Sequence, residues 1–245
     1  MYSIVIPAYN EGQRLAPTLE KVLAHIAEQR WSAEVLVVND GSTDNTADIV
    51  HAYSRANPSL RLIENPGNRG KGFAVKNGML HASGAVLLMT DADLSSPITE
   101  AGKLFAAIES GADIAIGSRW VNPALQTVRQ PWYRQLGGRG FNMVIRAILG
   151  LRQKDTQCGF KAFTRPAAQR LFPLQHVDRW GFDPELLFLA KRFKMRVDEV
   201  GVEWAHDERS KINPLKDGFR IVNDALQVRK NARAGIYGSV HAATA

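Results

Sequence analysis

Two aspartates one residue apart, Asp91 and Asp93, follow the apolar run Ala85-Val-Leu-Leu-Met89. Like charges that close repel, and each is costly to take out of water. A positive group must offset them. One chemistry that uses such a pair is a divalent cation, Mg²⁺ or Mn²⁺, held by carboxylate oxygens and bridging the two phosphates of a nucleotide diphosphate. The plain alternative is a polar turn with a helix cap ahead of Pro97. Company favours the first reading. Pro7-Ala8-Tyr9-Asn10-Glu11-Gly12, Asn39-Asp40-Gly-Ser42-Thr43-Asp44 and Asn65-Pro-Gly-Asn68-Arg-Gly70-Lys71-Gly72 are three further polar loops. Asp40 suits hydrogen bonds from a base or ribose, while Ser42, Thr43 and Asp44 equally suit the cap of a following helix. The stretch from Asn68 to Gly72 lets backbone approach a phosphate beside a lysine charge. It lacks the Walker A spacing, and no Gly-x-Gly-x-x-Gly follows the first apolar run, which argues against a dinucleotide dehydrogenase.

Those loops need elements to hold them. Residues 3–6, 34–38, 60–64, 85–90 and 113–117 are short, rich in Val, Ile and Leu, and hardly alternate. Strands buried on both faces have that composition. Helical stretches fall between them at 14–29, 44–55, 70–81 and 98–110. The alternation predicts right-handed βαβ units, hence an α/β fold with a mostly parallel sheet flanked by helices. In such sheets ligands bind beyond the carboxyl ends of the strands, where all four polar loops fall. The second half reads as less regular. Residues 120–139 read as a loop bearing Arg134 and Arg139, 141–151 as apolar except for Arg146, and 155–163 as a short strand. Helices are expected at 182–192 and 214–233. The latter carries an apolar stripe of Leu215, Phe219, Val222 and Leu226, with Lys216, Arg220, Arg229, Lys230 and Arg233 off it. One domain is expected over 1–235, with a donor half at 1–120 and an acceptor half at 121–235. Residues 236–245 are expected to be a tail, frayed at 240–245.

Composition narrows the function classes. The chain has 245 residues, 45% hydrophobic and 22% charged, enough to bury a sizeable core. Its net charge is +7 and its pI about 9.7, which suits an anionic partner. Basic residues are scattered among acids and no stacking motif stands out, so nucleic acid is not expected. Cys158 is the single cysteine, which fits a reducing cytosol. No signal peptide and no transmembrane run is read from the sequence, so a cytoplasmic enzyme is expected, peripheral at a membrane face if its acceptor is a lipid.

Taken in order, "SIVIPAYNEG", "VVNDGSTDNT", "NRGKGFAVKNGM", "LLMTDADLSS", "IAIGSRW", "DTQCGFKAF" and "WGFDPELLFLA" resemble the family 2 glycosyltransferases of the GT-A fold. Within that family they look most like the dolichyl-phosphate glucosyltransferase and mannose synthase branch. The resemblance implies inverting transfer of a sugar, glucose from UDP-glucose in the first instance, to a polyprenyl phosphate. A GDP-mannose donor, a soluble sugar or phospho-sugar hydroxyl acceptor, and a nucleotide-sugar-binding module without turnover stay open. Carried over, Pro7, Ala8, Tyr9, Glu11 and Asp40 would line the nucleoside pocket, with Gly70 and Lys71 beside it. Asp91, Ala92 and Asp93 would meet the diphosphate and its Mg or Mn ion. Lys211 matches a lysine that sits near the diphosphate.

A phosphomonoester has its second pKa at about 6, so it needs cations to hold it more than a base to deprotonate it. Arg119 and Arg134 are the foremost candidates, with Arg139, Gln157 and Lys161 behind them. Asp183 stands where related enzymes with hydroxyl acceptors place a catalytic acid. It is read as orienter or base, or as a helix cap before Pro184. Two departures stand out. Arg209 replaces the family's glycine before Ser-Lys, and Ser95 stands where mannose synthases often have a metal-binding glutamine. His206 could touch a metal, Trp180 could stack or pack, and Trp204 and Cys158 read as packing residues. Residues 141–151 and the 214–233 helix could dock on a membrane surface or pack as ordinary core helices.

Overall fold

The computed structural model of the chain describes residues 1–128, 132–205 and 214–238, with the side chains of 132–134 and 214–217 outside the description. The first half runs β1 (Tyr2–Ala8), α1 (Leu15–Glu28), β2 (Ala33–Asn39), α2 (Thr46–Ser54), β3 (Leu60–Glu64) and α3 (Lys71–His81). It continues with β4 (Val86–Met89), α4 (Ala101–Glu109) and β5 (Ile114–Ser118). After it come β6 (Gln126–Val128), α5 (Trp132–Leu149), β7 (Lys161–Thr164), α6 (Arg165–Leu171) and α7 (Phe182–Arg192). The described part closes with β8 (Val197–Gly201), β9 (Trp204–Ala205) and α8 (Pro214–Arg233).

Seven strands form one sheet in the order β3-β2-β1-β4-β7-β5-β8. All neighbours are parallel except β7, which runs antiparallel between β4 and β5. Successive side chains point to opposite faces, and both faces are covered. Val5, Leu36 and Val38 join the core under α3, α6 and α7, while Ile4, Ile6, Val35 and Val37 join the core under α1 and α4. That is why these strands read as unbroken apolar runs. The five expected strands and four expected helices of the first half all form, within two residues of their expected ends except for the helix start at 98, where a short 3-10 turn precedes α4.

The second half corrects several expectations. Residues 120–139 are not one loop: α5 begins at Trp132. Gly137, Gly138 and Gly140 argue against helix by up to about 1 kcal/mol each. Packing overrides them, because Ile145 and Leu149 are buried and the Phe141 ring lies 5.8 Å from that of Phe219 on α8. The expected strand at 155–163 shrinks to β7, since the groups of Asp155 and Thr156 bond to Arg119, Asn142 and Glu199. On α8 the buried stripe is Ile221, Ala225 and Val228, whereas Phe219 is 64% and Leu226 52% exposed. The helix carries two apolar stripes, and the stripe read from the sequence includes the exposed Phe219 and Leu226. β8 went unexpected because Asp198 and Glu199 interrupt its valines. The packed chain continues past residue 235: Tyr237 is 1% exposed. Residues 240–245 lie outside the described part.

Gly78 on α3 offers a test in which two effects oppose. Alanine gains about 1 kcal/mol of helix propensity. A Cβ there would stand 2.7 Å from Val38 Cγ2 and closer still to Val5 Cγ1, in the sheet itself. Overpacking costs about 1–3 kcal/mol, so Gly78→Ala is expected to lower the thermal midpoint by about 2–4 °C. Calorimetry reads the sign directly.

Candidate active site

The carboxyl ends of β1, β2 and β4 open into a cleft of about 330 Å³. From β1 and its loop come Pro7, Ala8, Tyr9 and Glu11; from β2, Asp40; from the start of α3, Gly70 and Lys71; after β4, Asp91, Ala92 and Asp93. These are the expected nucleotide-sugar residues, save one. Lys211 lies outside the described residues, as does His206. Arg14, Asn68, Ala74, Arg179 and Trp180 complete the lining.

Asp40 does more shaping than the sequence suggests. It is buried, and its carboxylate accepts from Asn65 Nδ2 (2.8 Å) and from the backbone N–H groups of Arg69 (3.0 Å) and Gly70 (2.8 Å). Three donors leave it little capacity for a ligand. What it fixes is the loop that presents Lys71. Gly70 has φ +111°, and a Cβ there would stand 2.5 Å from the Asp178 carbonyl oxygen. Both facts require glycine.

Lys71 is the positive group the acidic pair demanded. Its Nζ lies 2.6 Å from Asp91 Oδ1. Burial pulls the Lys71 ammonium down, but the charges of Asp91, Asp183 and Asp93 outweigh it and hold the group above the ordinary lysine range. Asp93 is less well compensated. Its carboxyl is raised by burial, then by the negative charge of Asp91, against a bond from the Ser95 N–H (2.9 Å). Thr18 of α1 pins the turn between them by donating to the Ala92 carbonyl at 2.6 Å. Gly159, in "DTQCGFKAF", lies directly against Asp91: a Cβ there would overlap its carboxylate. The donor set therefore fits a hard divalent cation. It offers carboxylate oxygens only and leaves one acid short of positive charge. Among the described residues no three His, Cys, Asp or Glu side chains converge on one point. An ion here would complete its shell from water and a diphosphate.

The expected acceptor residues split. Arg119 grips Asp155 with two bonds, Nε at 2.7 Å and Nη2 at 2.8 Å, and its guanidinium lies over the rings of Trp120 (5.6 Å) and Trp204 (5.4 Å). Burial raises the Asp155 carboxyl, but the Arg119 charge prevails and holds it below the usual range. Arg139 is exposed, with its guanidinium 4.5 Å from the Trp120 centroid, so it shares that indole with Arg119. Gln157 is half-buried and donates its N–H to Asp155 (3.3 Å). Arg134 belongs to α5, but its side chain lies outside the described residues. Lys161 corrects an expectation. It has no exposed surface for an acceptor, and its ammonium bonds to Asp183 at 2.5 Å and to the Cys158 carbonyl. Nor does Asp183 cap its helix: α7 starts from Gly181 with no side-chain cap, and Asp183 is the second helical residue. Arg179 carried no signal in the sequence, and Asp155 was legible only as the first residue of "DTQCGFKAF", not as the partner of Arg119.

The Lys161–Asp183 pair is tested by stability. Removing one partner of a buried pair strands the other, at about 3–5 kcal/mol. Lys161→Ala is expected to lose that much in urea denaturation with an unchanged slope. Lys161→Met together with Asp183→Leu should recover most of it.

The Glycosyl transferase family 2 model matches residues 3–172. A dolichyl-phosphate beta-glucosyltransferase of Trichomonas vaginalis is 42% identical, over 96% of this chain and 72% of its own length. Proteins of the same description match from Drosophila melanogaster, at 38% over 92% and 73%, and from Homo sapiens, at 33% over 96% and 76%. Among solved structures, glucosyl-3-phosphoglycerate synthase from Mycobacterium tuberculosis in complex with Mn²⁺ and UDP-glucose has a TM-score of 0.65. It is 18% identical, with 96% of this chain and 79% of that one covered, a likeness of fold. Matches of that extent, spanning nearly all of the chain at identities well above chance, make it a member of glycosyl transferase family 2, a glycosyltransferase of the GT-A fold.

Proposed function

We propose that the protein transfers glucose from UDP-glucose to a dolichyl or other polyprenyl phosphate, with inversion at the anomeric carbon. The relatives' shared description supports the acceptor and the sugar. The observation that carries the reading is the state of Asp183. A hydroxyl acceptor needs a free base. Here that carboxylate is taken by a buried ammonium at 2.5 Å. A phosphate acceptor needs no base, because it is largely dianionic near neutral pH.

The acceptor phosphate oxygen attacks the anomeric carbon, the bond from that carbon to the diphosphate oxygen breaks, and UDP leaves with the electron pair. The cleft residues bind the nucleotide and hold the reacting carbon in line. Lys71 places its charge where the leaving diphosphate gains its own. A Mg²⁺ or Mn²⁺ ion, held by Asp91 and Asp93, would supply further positive charge to that leaving group. Arg119 and Arg139, both beside Trp120, are the cations proposed to receive the acceptor phosphate, Arg119 through the face it does not give to Asp155, with Gln157 nearby.

A lipid acceptor brings a membrane with it. No helix among the described residues is long and apolar enough to cross one. The pair of helices α5 and α8 instead exposes Leu136, Met143 and Phe219, each about two-thirds accessible, with Arg229, Lys230 and Arg233 exposed on α8. We assign that face to a bilayer surface, its basic residues facing anionic head groups.

The test is incubation with UDP- and GDP-sugars, Mg²⁺ or Mn²⁺, and dolichyl phosphate in neutral or anionic vesicles. Mass spectrometry should find lipid-linked glucose from UDP-glucose, formed faster on anionic vesicles and slowed by salt. Chelator should abolish it, and Asp93→Ala should lower it about 10²-fold or more. Product only on soluble hydroxyl acceptors would sink the acceptor assignment.

A further inference from the structure

Glu185 of α7 is fully buried, an expensive place for a carboxylate unless its bonds are made. They are made from two directions. The backbone N–H groups of His176 (3.0 Å) and Val177 (2.8 Å) donate to it from the loop before α7. The hydroxyl of Tyr237 donates at 2.6 Å from the far end of the described chain. Burial raises the Glu185 carboxyl, with these bonds pulling the other way. A phenylalanine would fill the ring site at 237 equally well. What the tyrosine adds is the one hydroxyl that finishes this carboxylate.

The loop so held is the outer wall of the donor cleft. Two residues past Val177, Arg179 and then Trp180 line the cleft, and the Trp180 ring lies 5.1 Å from Lys71 Nζ. The loop's other side is fastened to the start of α3. The Phe73 N–H donates to the Asp178 carbonyl at 3.0 Å, and Gln175 Nε2 donates to the Gly72 carbonyl at 2.9 Å. A Cβ on Gly72 would meet the Val177 carbonyl at 2.5 Å, so backbone lies on backbone. A shift of the loop moves Arg179 and Trp180, the part of the wall it contributes. The family model ends at residue 172, short of both the wall and its fastening.

We propose that Tyr237 and Glu185 form a latch that fixes the donor-side wall, making Tyr237 a positioning residue for nucleotide-sugar binding although it touches no ligand. This rests on the nucleotide-sugar reading of the cleft. The latch acts through the loop at 175–180, so its loss appears in donor affinity and leaves acceptor affinity alone.

The experiment compares wild type, Tyr237→Phe, Arg179→Ala and the double variant, by calorimetric titration with UDP-glucose and by steady-state kinetics. Tyr237→Phe is expected to weaken UDP-glucose binding about fivefold, the worth of one net hydrogen bond. The donor KM should rise by the same factor, with kcat and the acceptor KM within about twofold. In the Arg179→Ala background the Tyr237→Phe effect should shrink, because both act through one loop. Unchanged donor affinity in Tyr237→Phe, or a fall in kcat at constant KM, would overturn the latch and leave Tyr237 as packing. If wild type binds neither UDP-glucose nor any other nucleotide-sugar, the donor reading itself fails and the latch falls with it.

Discussion

The ion pair between Lys71 and Asp91 is the contact around which the site is arranged. Two carboxylates at the carboxyl end of a buried strand repel each other and lose hydration. Lys71, at 2.6 Å from Asp91, makes that placement tenable. Yet it compensates only part of the charge, and Asp93 stays held above the usual carboxylate range by burial and by its neighbour. A site left short of positive charge is one that gains from a cation and a diphosphate arriving together. Much of the surrounding chain serves to place that one lysine. Asp40 ties the loop before it, Gly70 turns it, and the backbone at 177–179 presses on it from outside. Gly159 leaves Asp91 room to meet it.

A second layer of charge lies behind the cleft. Lys161, Asp183, Arg119 and Asp155 are paired within the protein, two by two. Asp183 also contributes to holding Lys71 and Arg119 in their charged forms. The Lys161–Asp183 pair ties up the carboxylate that would otherwise be free to act as a base. On the proposed reading the site supplies position and electrostatic field rather than proton transfer, which suits a nucleophile already ionised.

The first half of the fold was legible because each strand is buried on both faces and each loop carries polar punctuation. Val35 to Val38 read as strand for the same reason that they pack on two cores. That the residues of the donor cleft come together was legible because they sit next to strand ends in sequence. The rest was hidden for identifiable reasons. Lysine is a surface residue by habit, so nothing at Lys161 announced full burial beside an aspartate 22 positions away. The glycines of α5 concealed a helix that tertiary packing imposes. The two apolar stripes of α8 could not be ranked without its neighbour. Arg179 and Tyr237 owe their roles to contacts across the chain, which no local pattern encodes.

The central claim is that Asp91 and Asp93, beside Lys71, would hold a divalent cation together with the donor's diphosphate. Electron paramagnetic resonance of Mn²⁺ titrated into the protein, with and without UDP, measures it most directly. Weak Mn²⁺ binding alone, tightened by at least about tenfold when UDP is present and lost in Asp93→Ala, is the predicted result. Equal Mn²⁺ affinity with and without UDP would contradict it, since the diphosphate would then contribute nothing to holding the ion.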